Sequence, residues 1–193
     1  MQNSYRLAPE LGYSPTGAAL SKYPFAQIKF MRLIVWRECE TPAKPKAKST
    51  LAGQFFQSFC LPFMKGVFMD FCLKDATVEP RSTWAMGQIL SHPHVVGEKE
   101  LHAVEEILTD RGVAPLDPDN SIDHAQVGDL DGTPALAIEW TDTFRGCKRI
   151  SVYMDCQRTG KTLQVIHFSA PLESFDMAKK YFSEVLRSLQ WYD

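Results

Sequence analysis

A chain of 193 residues suits one domain that buries a full core without disulfide or metal staples. Hydrophobic residues at 45% and charged residues at 23% are those of an ordinary globular protein, and a net charge of −2 excludes a general phosphate-gripping surface, so nucleic acid is not expected as a partner. The five cysteines, Cys39, Cys60, Cys72, Cys147 and Cys156, are an odd set without CxxC or zinc-type spacing, so a reduced protein is expected.

Residues 1–24 carry repeated proline and glycine and are expected to form an irregular arm. MQNSYRLAPELGYSP lacks a charged segment followed by an apolar one, so no leader peptide is expected and the expected location is cytoplasmic. The longest apolar stretch, Ile28 to Trp36, is broken by Lys29 and Arg32 and is too short to span a bilayer. AQIKFMRLIVWR, within 25–37, is rich in β-branched and aromatic residues and predicts one strand. TPAKPKAK (41–48) is a proline-rich linker whose Lys44, Lys46 and Lys48 face solvent. From Ser49-Thr50 the spacing predicts a helix to about Leu61, with Leu51, Phe55 and Phe59 at i,i+4 and Ala52 and Phe56 beside them. Pro62 stops it.

VFMDFCL then predicts a strand, and a short helix is expected near Trp84–Leu90. EKELHAVEEILTDRG is a firmer helix, with Leu101, Val104, Ile107 and Leu108 as its buried stripe and Gly112 as its C′ residue. APLDPDN is a loop by composition. SIDHAQVGDL and TPALAIEW flank Asp131-Gly132, a strong hairpin signal.

In RISVYMDC, Ile150, Val152, Met154 and Cys156 alternate with Arg149, Ser151, Tyr153 and Asp155, a half-buried strand. A turn at Arg158-Thr159-Gly160-Lys161 leads to TLQVIHFSA, apolar on both faces and therefore central in its sheet. Pro171 halts this strand. Ser174 is placed to cap a last helix in which Phe175, Ala178, Phe182, Val185, Leu186 and Leu189 repeat at helical spacing. The order is strand, helix, strand, helix, four strands in a meander, helix. Short turns make adjacent strands antiparallel, and strands apolar on both faces need helices on both sides. The expected fold is α+β, a three-layer α/β/α sandwich with a mostly antiparallel sheet, as a single domain over 1–193.

The stretches EKELHAVEEILTDRG, VGDLDGTPALAIEW, RISVYMDC, TLQVIHFSAP and FDMAKKYFSEVLRSLQW, with the ending Ser188-Leu189-Gln190-Trp191, together resemble the PsbP-like superfamily. The resemblance covers about 97–192. It implies a PsbP-like sandwich and a non-enzymatic scaffold that binds other proteins or assists their assembly.

Chemistry is sparse in the sequence. His92 and His94 in SHPHVV share a face of an extended strand, but no third ligand stands at a telling distance; His102 and His124 lie on other elements. His167 reads as a hydrogen-bonded core histidine, and Cys156 as a buried thiol that could pair with it only in an open, electropositive setting. A disulfide between Cys147 and Cys156 requires that they lie on paired strands. GxSxG, GxGxxG, Walker-A and HExxH patterns are absent, and Asp117, Asp119, Asp123, Asp129 and Asp131 are explained by turns. Glu105 and Glu106 belong to a solvated helix face.

No catalytic residue, cofactor or metal is therefore expected. Phe55, Phe56, Phe59 and Phe63 form the candidate surface for a protein partner or a second copy of the chain. The alternative is a small-ligand or metal-binding protein, or an enzyme, with a pocket near His92, His94 or His167.

Overall fold

The computed structural model describes residues 28–30, 36–39, 56–72, 76–78, 80–109, 120–130, 132–187 and 189–191. The expected arm at 1–24, the linker at 41–48 and residues 114–119 of the loop APLDPDN, with Asp117 and Asp119, lie outside them, as do Phe55 and Asp131.

An antiparallel meander carries the structure: β7 (Asn120–Leu130), β8 (Thr133–Asp142), β9 (Cys147–Met154) and β10 (Thr162–Pro171). Each pairs with the next, from Ala125↔Ile138 through Ile138↔Ser151 to Ser151↔His167. Strand β4 (Phe68–Cys72) pairs with the other side of β10, and β3 (Phe56–Cys60) pairs with β4. Short strands β2 (Arg37–Glu38) and β6 (His94–Val95) close the two edges, and β5 (Ala76–Thr77) adds to the start of β10. The sheet runs β2-β3-β4-β10-β9-β8-β7-β6, and every pairing in it is antiparallel. Strand β10 is central, as its apolar faces require. A separate two-stranded ribbon joins β1 (Ile28–Phe30) to β11 (Leu189–Trp191).

Among the described residues, three helices cover the sheet. One face carries α3 (Phe175–Arg187), whose buried Phe175, Ala178, Phe182 and Val185 pack on Met69, Phe71, Ile150, Val152, Ile166 and Phe168. Phe168 and Phe182 stack at 4.8 Å between ring centroids. The opposite face carries α1 (Pro80–Ile89) and α2 (Glu98–Thr109), with Met86, Ile89 and Val104 on Leu136, Ile138, Tyr153, Leu163 and Val165. Helix α2 opens on one half of a capping box: the Glu100 carboxylate accepts the Gly97 N–H at 3.1 Å. The fold is the three-layer α+β sandwich that the alternation predicts.

Three local expectations change. Residues 56–60 form strand β3, where a helix to Leu61 was expected, because the same residues alternate and gain a full ladder against β4. Phe59 can face the core from either structure, and cross-strand pairing with β4 wins. The strand expected over 25–37 is two short strands in different sheets, with 31–35 outside the described residues. Ser174 lies in a 3-10 turn, Leu172–Ser174, and its hydroxyl donates to the Pro171 carbonyl at 3.3 Å.

Candidate functional site

The face under α1 and α2 is apolar in only half its extent. Leu163 and Val165 sit beneath those helices, and alternation places His167 and Ser169 on the same face further along β10. Met69, Phe71 and Phe59 belong to the α3 side, so Phe68, Asp70, Ser58 and Cys60 turn to the side of His167. Register then aligns one row across four strands, Ser58↔Asp70↔His167↔Ser151. The next row is Cys60↔Phe68↔Ser169↔Arg149↔Trp140. A sheet face in a layered protein is ordinarily apolar, so this run of polar side chains marks the place to look for function.

Within the row, Trp140 Nε1–H donates to the Ser151 hydroxyl at 3.3 Å, and Ser151 Oγ lies 2.9 Å from His167 Nδ1. An indole N–H only donates, so the arrangement that uses every proton has Ser151 donating to Nδ1 and the imidazole proton on Nε2. Burial, and secondarily the Arg149 charge, pull the imidazole down to about 4, which keeps it neutral at pH 7. Ser151 is only 2% exposed, so its hydroxyl does not face a substrate.

Arg149 stacks over the Trp140 ring, 4.9 Å from its centroid, and its Nη2 donates to Asp142 at 3.1 Å. Arg145 also approaches Asp142, at 3.6 Å. Among the described residues, Asp70 meets the Ser58 hydroxyl. Burial raises its carboxyl above the usual range, while the Ser58 hydroxyl and the more remote Arg149 charge pull it down.

The α3 face holds its charges in closed pairs. Lys148 Nζ meets Asp123 at 3.0 Å and Glu139 at 3.5 Å, and Lys179 also meets Glu139. Both ammonium groups lie over the Phe175 ring, at 5.5 and 5.6 Å. The hydrogen bond to Asp123 is the first cause that raises Lys148, so its amine stays protonated and is no nucleophile.

The histidines singled out in sequence do not converge. His92 and His94 stack at 4.6 Å by strand β6; His94 Nε2 lies 3.2 Å from Glu100, and its Nδ1 lies 2.8 Å from the His92 carbonyl. Strands β7, β8 and β9 separate them from His167. His102 pairs with Glu105 on α2 at 3.4 Å, and His124 bonds Gln126. Among the described residues, no three His, Cys, Asp or Glu side chains are grouped to hold a metal ion. Cys156 packs on the α3-side core while His167 faces the other way, so the two form no pair. Cys147 and Cys156 flank the two ends of the one strand β9, which rules out a bridge between them.

Exposed apolar side chains do converge. Seven large hydrophobic residues stand exposed among the described residues, and five of them, Phe63, Phe68, Phe144, Leu172 and Met177, lie at one end of the sheet. Phe63 comes from the β3–β4 turn, Phe144 from the β8–β9 turn, and Leu172 and Met177 from the start of α3. These connections touch: the Leu172 N–H donates to the Gly146 carbonyl at 3.2 Å, and Gly66 lies against Pro171 so closely that a Cβ there would meet its ring at 3.0 Å. Phe63, 56% exposed, leans edge-on to Tyr181 at 5.4 Å, and Phe144 is 85% exposed. Of the four phenylalanines named from the sequence, Phe63 thus stands on this surface and Phe59 is buried in the core. Nothing in the periodicity pointed to Phe144, which sits alone in a turn.

No helix among the described residues is long and apolar enough to cross a membrane. No family model matches the chain, and no curated protein matches it in sequence. Among solved structures it is similar to the solution structure of cyanobacterial PsbP from Synechocystis sp. PCC 6803, with 12% identity over 86% of this chain and 87% of that chain and a TM-score of 0.45.

Proposed function

We propose that this chain is a non-enzymatic binding or assembly scaffold that docks a protein partner on the apolar end of its sheet. The observation that carries the reading is the convergence of Phe63, Phe144, Leu172 and Met177 from three separate connections at one end of the sheet. Exposed aromatic side chains grouped in this way are typical of interface centres, where burial on association returns what exposure costs in the lone chain. The polar row supports the same reading. Its imidazole is held neutral well below the working range of a general base, and its serine is covered.

The test is capture of the partner from the native host by wild-type chain and by a Phe63→Ser/Phe144→Ser double variant. The double variant is expected to retain the fold, seen as an unchanged circular dichroism spectrum, and to lose the co-eluting protein. Equal capture by both chains overturns the assignment of this surface.

A further inference from the structure

The most exposed ring of the docking surface is held from inside the sheet. Phe144 is carried by the turn 143–146 between β8 and β9, while Asp142, the last residue of β8, is only 5% exposed. Asp142 Oδ1 accepts the Arg145 N–H at 2.9 Å. Its Oδ2 accepts from Arg149 Nη2 at 3.1 Å, and Arg149 is itself stacked on Trp140. One buried acid thus ties the tip of this hairpin to its wall. The turn is closed by the Gly146 N–H, which donates to the Thr143 carbonyl at 3.3 Å, with Gly146 at φ +60°. The Gly146 carbonyl in turn receives the Leu172 N–H at 3.2 Å, which fixes the turn against the start of α3.

Two consequences follow for binding. A side chain placed before association has less freedom to lose, so a preset ring binds more tightly than the same ring on a loose turn. A ring that projects as far as Phe144 is buried by a pocket and not by a flat surface. We propose that Asp142 is the positioning residue of the docking surface, holding Phe144 as a preset knob for a folded partner with an apolar, ring-sized pocket. The inference rests on the docking surface proposed above and specifies the partner, which is preformed and concave where Phe144 meets it. A flat or disordered partner would make no use of a ring fixed in advance.

Amide nitrogen relaxation of the uniformly labelled chain, with no partner present, tests the positioning. In wild type, residues 143–146 are expected to be as ordered as β8 and β9, with order parameters of about 0.85, and in Asp142→Ala to fall below about 0.6 while the rest of the sheet is unchanged. Asp142→Asn, whose amide oxygen can still accept the Arg145 N–H, is expected to restore the order, which a general loss of stability would not show. Where Asp142→Ala does not fold, hydrogen exchange of wild type decides: the Arg145 amide is expected to exchange as slowly as those of β8 and β9. A turn that is loose in wild type, equally ordered in Asp142→Ala or as loose in Asp142→Asn as in Asp142→Ala overturns the positioning role, as does an unprotected Arg145 amide. The pocket is read by titrating the partner that wild type captures. Phe144→Trp, too large for a ring-sized pocket, is expected to bind it about tenfold more weakly, and undiminished binding overturns the knob. Because the relaxation experiment contains no partner, its failure is distinct from failure of the docking surface, which the Phe63→Ser/Phe144→Ser capture reads.

Discussion

Ser151 and His167 face each other across β9 and β10 with 2.9 Å between hydroxyl oxygen and Nδ1, and Trp140 sets the sense of that hydrogen bond by donating from behind. The serine is 2% exposed, so the pair lies within the wall of the sheet.

That wall has an acid limit. The folded His167 titrates near 4, below its ordinary value of 6.5, so as pH falls below 6.5 the unfolded chain takes up a proton that the folded chain refuses. Stability from this group is full above about pH 6.5, is lost as pH falls, and levels off below about 4. The loss is at most about 3 kcal/mol, an upper limit because the ring is only half-buried by exposed area. Urea unfolding of wild type and His167→Gln across pH 4 to 7 checks it: the variant should show a flatter pH dependence in that window.

Asp70 carries the opposite sign. Its folded carboxyl holds its proton to higher pH than the unfolded one, so this group favours the fold at low pH and the benefit disappears as pH rises through its folded value. Asp70→Asn should raise the midpoint of urea unfolding at pH 7 and leave it nearly unchanged at pH 3, where wild type is itself protonated.

Of the described glycines, Gly160 leaves the least room for a Cβ. Its φ is +63°, and a Cβ there would stand 2.9 Å from the Thr83 carbonyl and 3.1 Å from the Gly87 nitrogen of α1. Gly160→Ala should therefore cost more than the roughly 1–2 kcal/mol of left-handed strain alone. Gly146 has φ +60° and open space around it, so Gly146→Ala should show the strain without the clash. Chemical denaturation of the two variants side by side measures the difference.

Phe182 and Phe63 lie close in chemistry and far apart in consequence. Phe182→Ala removes a ring stacked on Phe168 beneath α3 and should cost about 3–5 kcal/mol. Phe63→Ser should stay within about 0.5–1 kcal/mol of wild type, since its ring is more than half exposed and touches mainly Tyr181. Thermal melts of both, with partner capture for the second, separate core from docking surface.

The amino-acid order by itself determined the meander and the layers. In β8 and β9 the choice of apolar or polar residue alternates with the pleat, β10 is apolar on both faces, and in α3 the stripe from Phe175 to Val185 follows the helical turn. Both periods belong to the local chain and are visible in a short window. Residues 56–60 were ambiguous because Phe55 and Phe59 suit a helix while Phe59 alone also suits a strand, and only the ladder with β4 settles the matter. The row Ser58, Asp70, His167 and Ser151 is a product of register among four strands, and the apolar end is a product of three turns folding to one side. Neither leaves a local period, since residues far apart in the chain become neighbours only when backbone hydrogen bonds choose their partners. For that reason the shape was readable from the sequence, and the polar row emerged only from the assembled sheet.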